Sequence, residues 1–196
     1  MNITQDIQQI MVLHQASIIS WNEHGIQFEH IHFLKLVEEN HAFNYQLWQA
    51  EDSARRDDMG YEFVYRAKRH IDCLNQQRNN RMEAMDEWLY VHLQPVHAAT
   101  CPMHSETPAM MIDRLSILAL KTFYMGLQVQ RQEVDAQHHQ TCYKKLLIIE
   151  QQRDNLHHCL MSFIQEIHNK VRTFIIYHPC KMYNDPSLNP ELYSHI

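Results

Sequence analysis

The sequence predicts an all-α fold: a single-domain bundle of about five helices, several of them long, with an irregular C-terminal tail. Three observations predict it. Apolar residues recur at three- and four-residue steps over long stretches. Only 3 glycines and 6 prolines punctuate 196 residues. Nothing alternates with period two over a useful length. A chain of this length fits one domain, 1–196, and buries most of its apolar surface.

The first helix is expected from about Thr4 to Asn22, with Ile7, Ile10, Met11, His14, Ile18 and Trp21 at helical spacing and Gly25 as its left-handed stop. The second is expected from about Gln27 to Arg56, ended by Asp57-Asp58-Met59-Gly60. The third runs from about Glu62 to His92 and stops before Pro95. A linker, Pro95 to Glu106, leads to a fourth helix that starts at Pro108, where a missing N–H costs nothing, with Thr107 as its cap. The last periodic region spans about Val134 to Phe174, and its stripe includes Cys142, Leu146, Ile149, Leu156, Leu160, Phe163, Ile167, Val171 and Phe174. The tail from His178 carries Pro179, Pro186 and Pro190 and is expected to be irregular.

Composition narrows the function classes. A net charge of −6 and a pI near 6.2 argue against a general nucleic-acid binder. No apolar run reaches the roughly 18 residues of a membrane span, and no basic-then-apolar signal opens the chain. Five cysteines, odd in number, widely spaced and without a C-x-x-C pair, suit a reduced, cytoplasmic setting.

The chemistry concentrates on polar residues that continue apolar helix faces. On the second helix, the face of Phe33, Leu36 and Val37 continues through His41, Asn44, Trp48, Glu51, Asp52 and Arg55. On the third, Lys68, Asp72, Asn75, Arg78 and Asn79 fall on or beside the face of Val64, Ile71, Leu74, Met82, Met85 and Leu89. The fourth is apolar around most of its circumference yet carries Asp113, Arg114 and Lys121, which share with Ile117 one sector of about 100° on the helical wheel, and Arg153 interrupts the last stripe. Buried charges are costly unless they are paired or engaged with a ligand. Two readings stand open: a satisfied ionic and amide network that fixes helix register, or a pocket built from facing helices. The arginines, lysines and asparagines suit a phosphate or carboxylate ligand.

Other chemistries find weaker support. Glu38-x-x-His41 has the spacing of a bundle di-iron pair, but no second copy exists, so no metal site is assigned. Ser116 lacks a glycine elbow, and a helical serine commonly bonds its own backbone. Glu51 and Asp113 are the candidate acid–base residues. There is no glycine-rich phosphate loop, and no cofactor is named by any motif. In the tail, Lys181, Tyr183 and Asn184 either cap the bundle or close over a pocket mouth. Trp21, Trp48 and Trp88 read as core, with Trp48 adjoining the polar face.

Four ordered segments carry a family resemblance. They are His41-x-x-Asn44-x-x-Leu47-Trp48-x-x-Glu51-Asp52-x-Ala54-Arg55, then Ala67-Lys68-Arg69-x-Ile71-Asp72-x-Leu74-Asn75-Gln76-x-Arg78-Asn79, then Glu106-Thr107-Pro108 through Lys121, and last Lys181-Met182-Tyr183-Asn184-Asp185-Pro186 with Asn189-Pro190. The chain is similar, from about His41 to Pro190, to the bacterial domain-of-unknown-function family 4254. That resemblance implies a helical protein encoded near glycosyltransferases of envelope polysaccharides, and it brings no assigned activity. Three expectations follow. The first is a cytoplasmic protein that binds an anionic small ligand, such as a sugar nucleotide or phosphate, in aid of envelope glycan assembly. There Arg55, Arg78, Arg114 and Lys121 hold the anion while Asn44 and Asn75 orient it. The second is a non-enzymatic partner of a glycosyltransferase, and the third a metal-dependent hydrolase or transferase.

Overall fold

The computed structural model describes residues 3–178 and 187–193. Five principal helices, α1 (Ile3–His24), α2 (His32–Ser53), α3 (Tyr61–Leu93), α4 (Pro108–Gln130) and α5 (Ala136–His168), form the predicted bundle. A single 3-10 turn, Asp57–Met59, separates α2 from α3, and a four-residue helix, α6 (Pro190–Tyr193), lies in the tail that was expected to be irregular. α2 and α3 pair as one hairpin, α4 and α5 as another, and α1 packs across α4, α2 and α5. α3 and α5 each run 33 residues, roughly 50 Å at 1.5 Å per residue.

One continuous core fills one end of the bundle. Ile7 and Ile10 of α1, Phe33 and Val37 of α2, Met85 and Leu89 of α3, Ile112 and Leu115 of α4 and Leu160 of α5 are all essentially solvent-free. Each such side chain contributes about 1.5–3 kcal/mol by leaving water. A second cluster at the other end joins Ile18 and Trp21 to Ala42, Tyr45, Ala119 and Leu120. A third, Leu47, Ala50, Ile71 and Leu74, seals the α2–α3 seam.

Helix ends follow local chemistry where partners are near in sequence. The Thr107 hydroxyl accepts from the Met110 N–H at 3.3 Å, with Pro108 in the first turn, as expected. The Asp86 carboxylate, reaching from α3, accepts from the Ala109 N–H at 3.0 Å, so two side chains satisfy amides at that terminus. Gly25, at φ 77°, supplies the stop after α1. Asp135 caps α5 by accepting from the His138 N–H at 2.7 Å.

Three boundaries differ from the sequence expectation. α2 begins at His32 rather than near Gln27, because the buried Glu38 carboxylate accepts from the Glu29 and His30 amides at 3.1 Å and holds that segment out of the helix. α2 ends at Ser53, and Arg55 and Arg56 continue as a tight turn with amides donating to Asp52 and Ser53 carbonyls. α5 ends at His168 rather than near Phe174. Thr173 instead bridges to Met103: the His104 N–H donates to the Thr173 carbonyl at 2.8 Å and the Thr173 N–H to the Pro102 carbonyl at 3.1 Å. Phe174 still enters the core, but from an extended segment, while Val171 is exposed.

Candidate functional site

The charges of α4 resolve into three directions. Asp113 is 2 % exposed and points to α2 and α3. Arg78 of α3 grips it as a fork, Nε donating to Oδ1 at 2.9 Å and Nη2 to Oδ2 at 2.8 Å. Asn40 and Asn44 of α2 donate to the same Oδ1 at 3.0 and 2.9 Å. The carboxylate is thus paired and fully hydrogen-bonded, the condition under which a buried charge is tolerated. Arg78 reaches it while keeping about a quarter of its side chain in solvent. Its Nη1 also donates to Asn75 Oδ1 at 3.4 Å.

The network continues inward through Ser116 and His41. Asn44 donates to Ser116 Oγ at 2.9 Å, and Ser116 Oγ lies 2.7 Å from His41 Nδ1. His41 Nε2 lies 3.0 Å from the His14 carbonyl, which only accepts. Nε2 therefore carries the proton, Nδ1 is a bare acceptor, and the Ser116 hydroxyl donates to it. Burial drives the His41 pKa down to about 3, opposed by the bond to the His14 carbonyl, so the ring is neutral. His14, its ring tilted 33° against that of His41 with centroids 4.4 Å apart, is held well below the ordinary histidine range, first by burial and then by His41. Ser116 and His41 are both wholly buried, so this pair is a structural relay rather than a nucleophile facing substrate. The expectation that Ser116 bonds its own backbone is corrected: its partners come from α2.

Outward from this network opens a cleft between α2, α3 and α4 of about 390 Å³. Asn44, Asn75 and Arg78 form its inner edge, Trp48, Glu51, Asp52 and Arg55 line it from α2, and Leu47, Ile117 and Leu120 supply apolar wall. Trp48 lies flat on Tyr124 of α4, centroids 4.6 Å apart and planes at 6°. Burial, then Tyr45 and Asp52, pushes the Tyr124 phenol up. Arg55 Nη1 donates to Glu51 Oε2 at 3.0 Å and to the Glu51 carbonyl. Two carboxylates thus face two guanidiniums, one of which is already neutralised by Asp113, so the charges left to the cleft sum to minus one.

Seven of the sequence-proposed residues meet in this cleft, and the other described ones do not. Asp113 and His41 lie beneath it. Arg114 and Lys121 line a second cleft, between α4 and α5, of about 740 Å³; Ile117 belongs to both. Lys68 is exposed beside Tyr61, Val64 and Tyr65 near the start of α3. Asp72 is half-buried, 3.8 Å from Arg69. Arg153 lines a small cavity with His14 and Phe123 and pairs with Asp154 at 3.0 Å. Lys181, Tyr183 and Asn184 lie outside the described residues.

Sequence reasoning missed Asn40, which precedes His41 and sits four residues before Asn44, the spacing that puts both amides over Asp113. It also missed Tyr124 as the partner of Trp48, and Asp86, four residues after Met82 on the inner face of α3. Trp21 and Trp88 are packing residues, Trp21 against Tyr45 and His41, Trp88 against Phe33 and His92.

No three His, Cys, Asp or Glu side chains converge to hold a metal ion among the described residues. The Glu38–His41 spacing resolves into separate contacts, Glu38 to the 29–30 amides and His41 to Ser116 and His14. No described helix is long and apolar enough to cross a membrane.

No curated protein and no solved structure matches the chain. The family model described as "Protein of unknown function (DUF4254)" matches residues 34–176, a span that holds α3, α4, α5, nearly all of α2, both clefts and the Asp113 network. The chain belongs to that family.

Proposed function

We propose that the protein binds an anionic, hydroxyl-rich small ligand, a sugar nucleotide or sugar phosphate, in the cleft between α2, α3 and α4, and so assists envelope glycan assembly in the cytoplasm. The observation that carries this reading is the convergence of Asn44, Trp48, Glu51, Asp52, Arg55, Asn75 and Arg78 on one cleft. Its volume of about 390 Å³ is within the range of small-molecule sites, roughly 300–1,000 Å³. Carboxylates and amides accept and donate in the pattern that sugar hydroxyls need, and the face of Trp48 offers a flat apolar surface to a pyranose ring. Arg78 commits its fork to Asp113, so the anionic group falls to Arg55, whose Nη1 alone is engaged by Glu51. The glycan context rests on the family resemblance.

Calorimetry and thermal shift with a panel of sugar nucleotides and sugar phosphates test the reading. Trp48→Ala and Arg55→Gln are expected to abolish or weaken binding without unfolding the protein. If no member of the panel binds, or if both variants bind as well as the parent, the reading falls.

A second reading, a non-enzymatic partner of a glycosyltransferase, draws on apolar side chains left in solvent on α5 and the end of α4: Tyr143, Leu147 and Ile148, each about half exposed, with Leu127. Co-purification that is lost with Leu147→Glu and kept with Trp48→Ala favours this reading over the first.

A further inference from the structure

We infer that the cleft between α4 and α5 is an anion site of its own, suited to a phosphate or diphosphate group and separate from the cleft proposed above. The segment 106–121 carries charges that neither the core nor the first cleft uses. Arg114 and Lys121 both line the second cleft, seven residues apart on one edge of α4. Two turns separate their backbones by about 10 Å, a gap that two long side chains close around a diphosphate. From the opposite wall α5 offers the side-chain amides of Gln152 and Asn155, three residues apart on one helix face.

The site holds one excess positive charge in a cleft with an apolar floor. Arg114 Nη1 donates to both Glu106 oxygens, at 2.6 and 2.9 Å, which fixes the guanidinium and leaves its other nitrogens without a partner among the described residues. The Glu106 backbone is itself held, its carbonyl accepting from His104 Nδ1 at 2.7 Å. Lys121 is exposed and forms no ion pair among the described residues. Ile117, Leu118 and Leu156 lie alongside as the apolar wall of the cleft. A volume of about 740 Å³ admits a diphosphate together with its ester substituent.

Inorganic pyrophosphate, titrated into the full chain by calorimetry and followed by ¹⁵N-resolved side-chain amide shifts, tests the assignment. Saturable one-to-one binding is expected, with the Gln152 and Asn155 amides moving and those of Asn44 and Asn75 still. Lys121→Gln removes one charge-assisted contact and should weaken binding about tenfold, with Arg114→Gln acting in the same direction. Lys144→Gln, which removes an exposed charge of α5 outside the cleft, should leave binding unchanged. Absence of saturable binding overturns the inference, and so do equal losses in Lys121→Gln and Lys144→Gln, which would mark diffuse charge attraction. Shifts at Asn44 and Asn75 instead would overturn it by placing the anion in the first cleft, an outcome that leaves the proposed function standing.

Discussion

Acid should destabilise this protein through His41, and the size of the effect follows from its burial. In the unfolded chain the ring has its ordinary pKa of 6.5; in the fold it has about 3. The folded state thus refuses a proton that the unfolded state accepts. Stability from His41 is fully present above about pH 6.5 and is lost as the pH falls towards 3. At about 1.4 kcal/mol per pH unit, the loss at pH 5 is about 2 kcal/mol. His14, also depressed by burial, adds to the loss in the same direction. Asp86 opposes it. Burial raises that carboxyl from 3.8 to about 6, so the folded state takes up its proton first and gains roughly 1 kcal/mol between pH 7 and pH 5. His41 and Asp86 thus largely offset each other between pH 7 and pH 5, leaving a net loss of about 1 kcal/mol or less, to which His14 adds. Urea denaturation at pH 7, 6 and 5 measures it. His41→Gln, whose amide can donate to the His14 carbonyl and accept from Ser116, should remove the loss due to this ring. Asp86→Asn should steepen the acid loss of the parent. A parent and a His41→Gln variant with identical pH slopes would refute the assignment of a neutral, proton-excluding His41.

Removing the cation over Asp113 tests the buried network: Arg78→Met should cost about 3–5 kcal/mol in urea titrations, and Arg78→Met with Asp113→Leu should recover much of that loss. Thr107→Ala deletes the α4 cap and should cost about 1 kcal/mol, read as a lower Tm. Glu38→Ala frees the Glu29 and His30 amides, so their hydrogen exchange should accelerate strongly while the α4 amides keep their protection.

The parts of the fold legible in the sequence were those whose causes are local. Thr107 and Pro108 mark the start of α4 from within three residues of it, and Gly25 marks the end of α1. Boundaries set by distant partners were hidden. Nothing near Gln27 announces that Glu38 will hold residues 29 and 30 out of α2, and nothing near Val171 announces that Thr173 will pair with Met103. The candidate site shows the same division. Helical spacing put Asn44, Trp48, Glu51, Asp52 and Arg55 on one face of α2, and in the fold that face lines one cleft with Asn75 and Arg78. On α4 spacing put Asp113, Arg114 and Lys121 into one sector, whereas packing against α2 and α3 on one side and α5 on the other sends Asp113 inward and the two cations to a different cleft. A helical wheel orders directions around one axis, but the neighbours decide which direction is interior.

Asn44 and Arg78 line the cleft and also hold Asp113, so the site has two kinds of residue for anyone who alters it. In the proposed site Asp52 and Arg55 form an adjustable rim, where a changed side chain would report on recognition with little disturbance of the packing. Asn44 and Arg78 form a fixed floor, where any loss of recognition arrives together with loosened helices. If the cleft binds as proposed, changes of specificity belong at the rim, and changes at the floor require Asp113 to be redesigned in the same step.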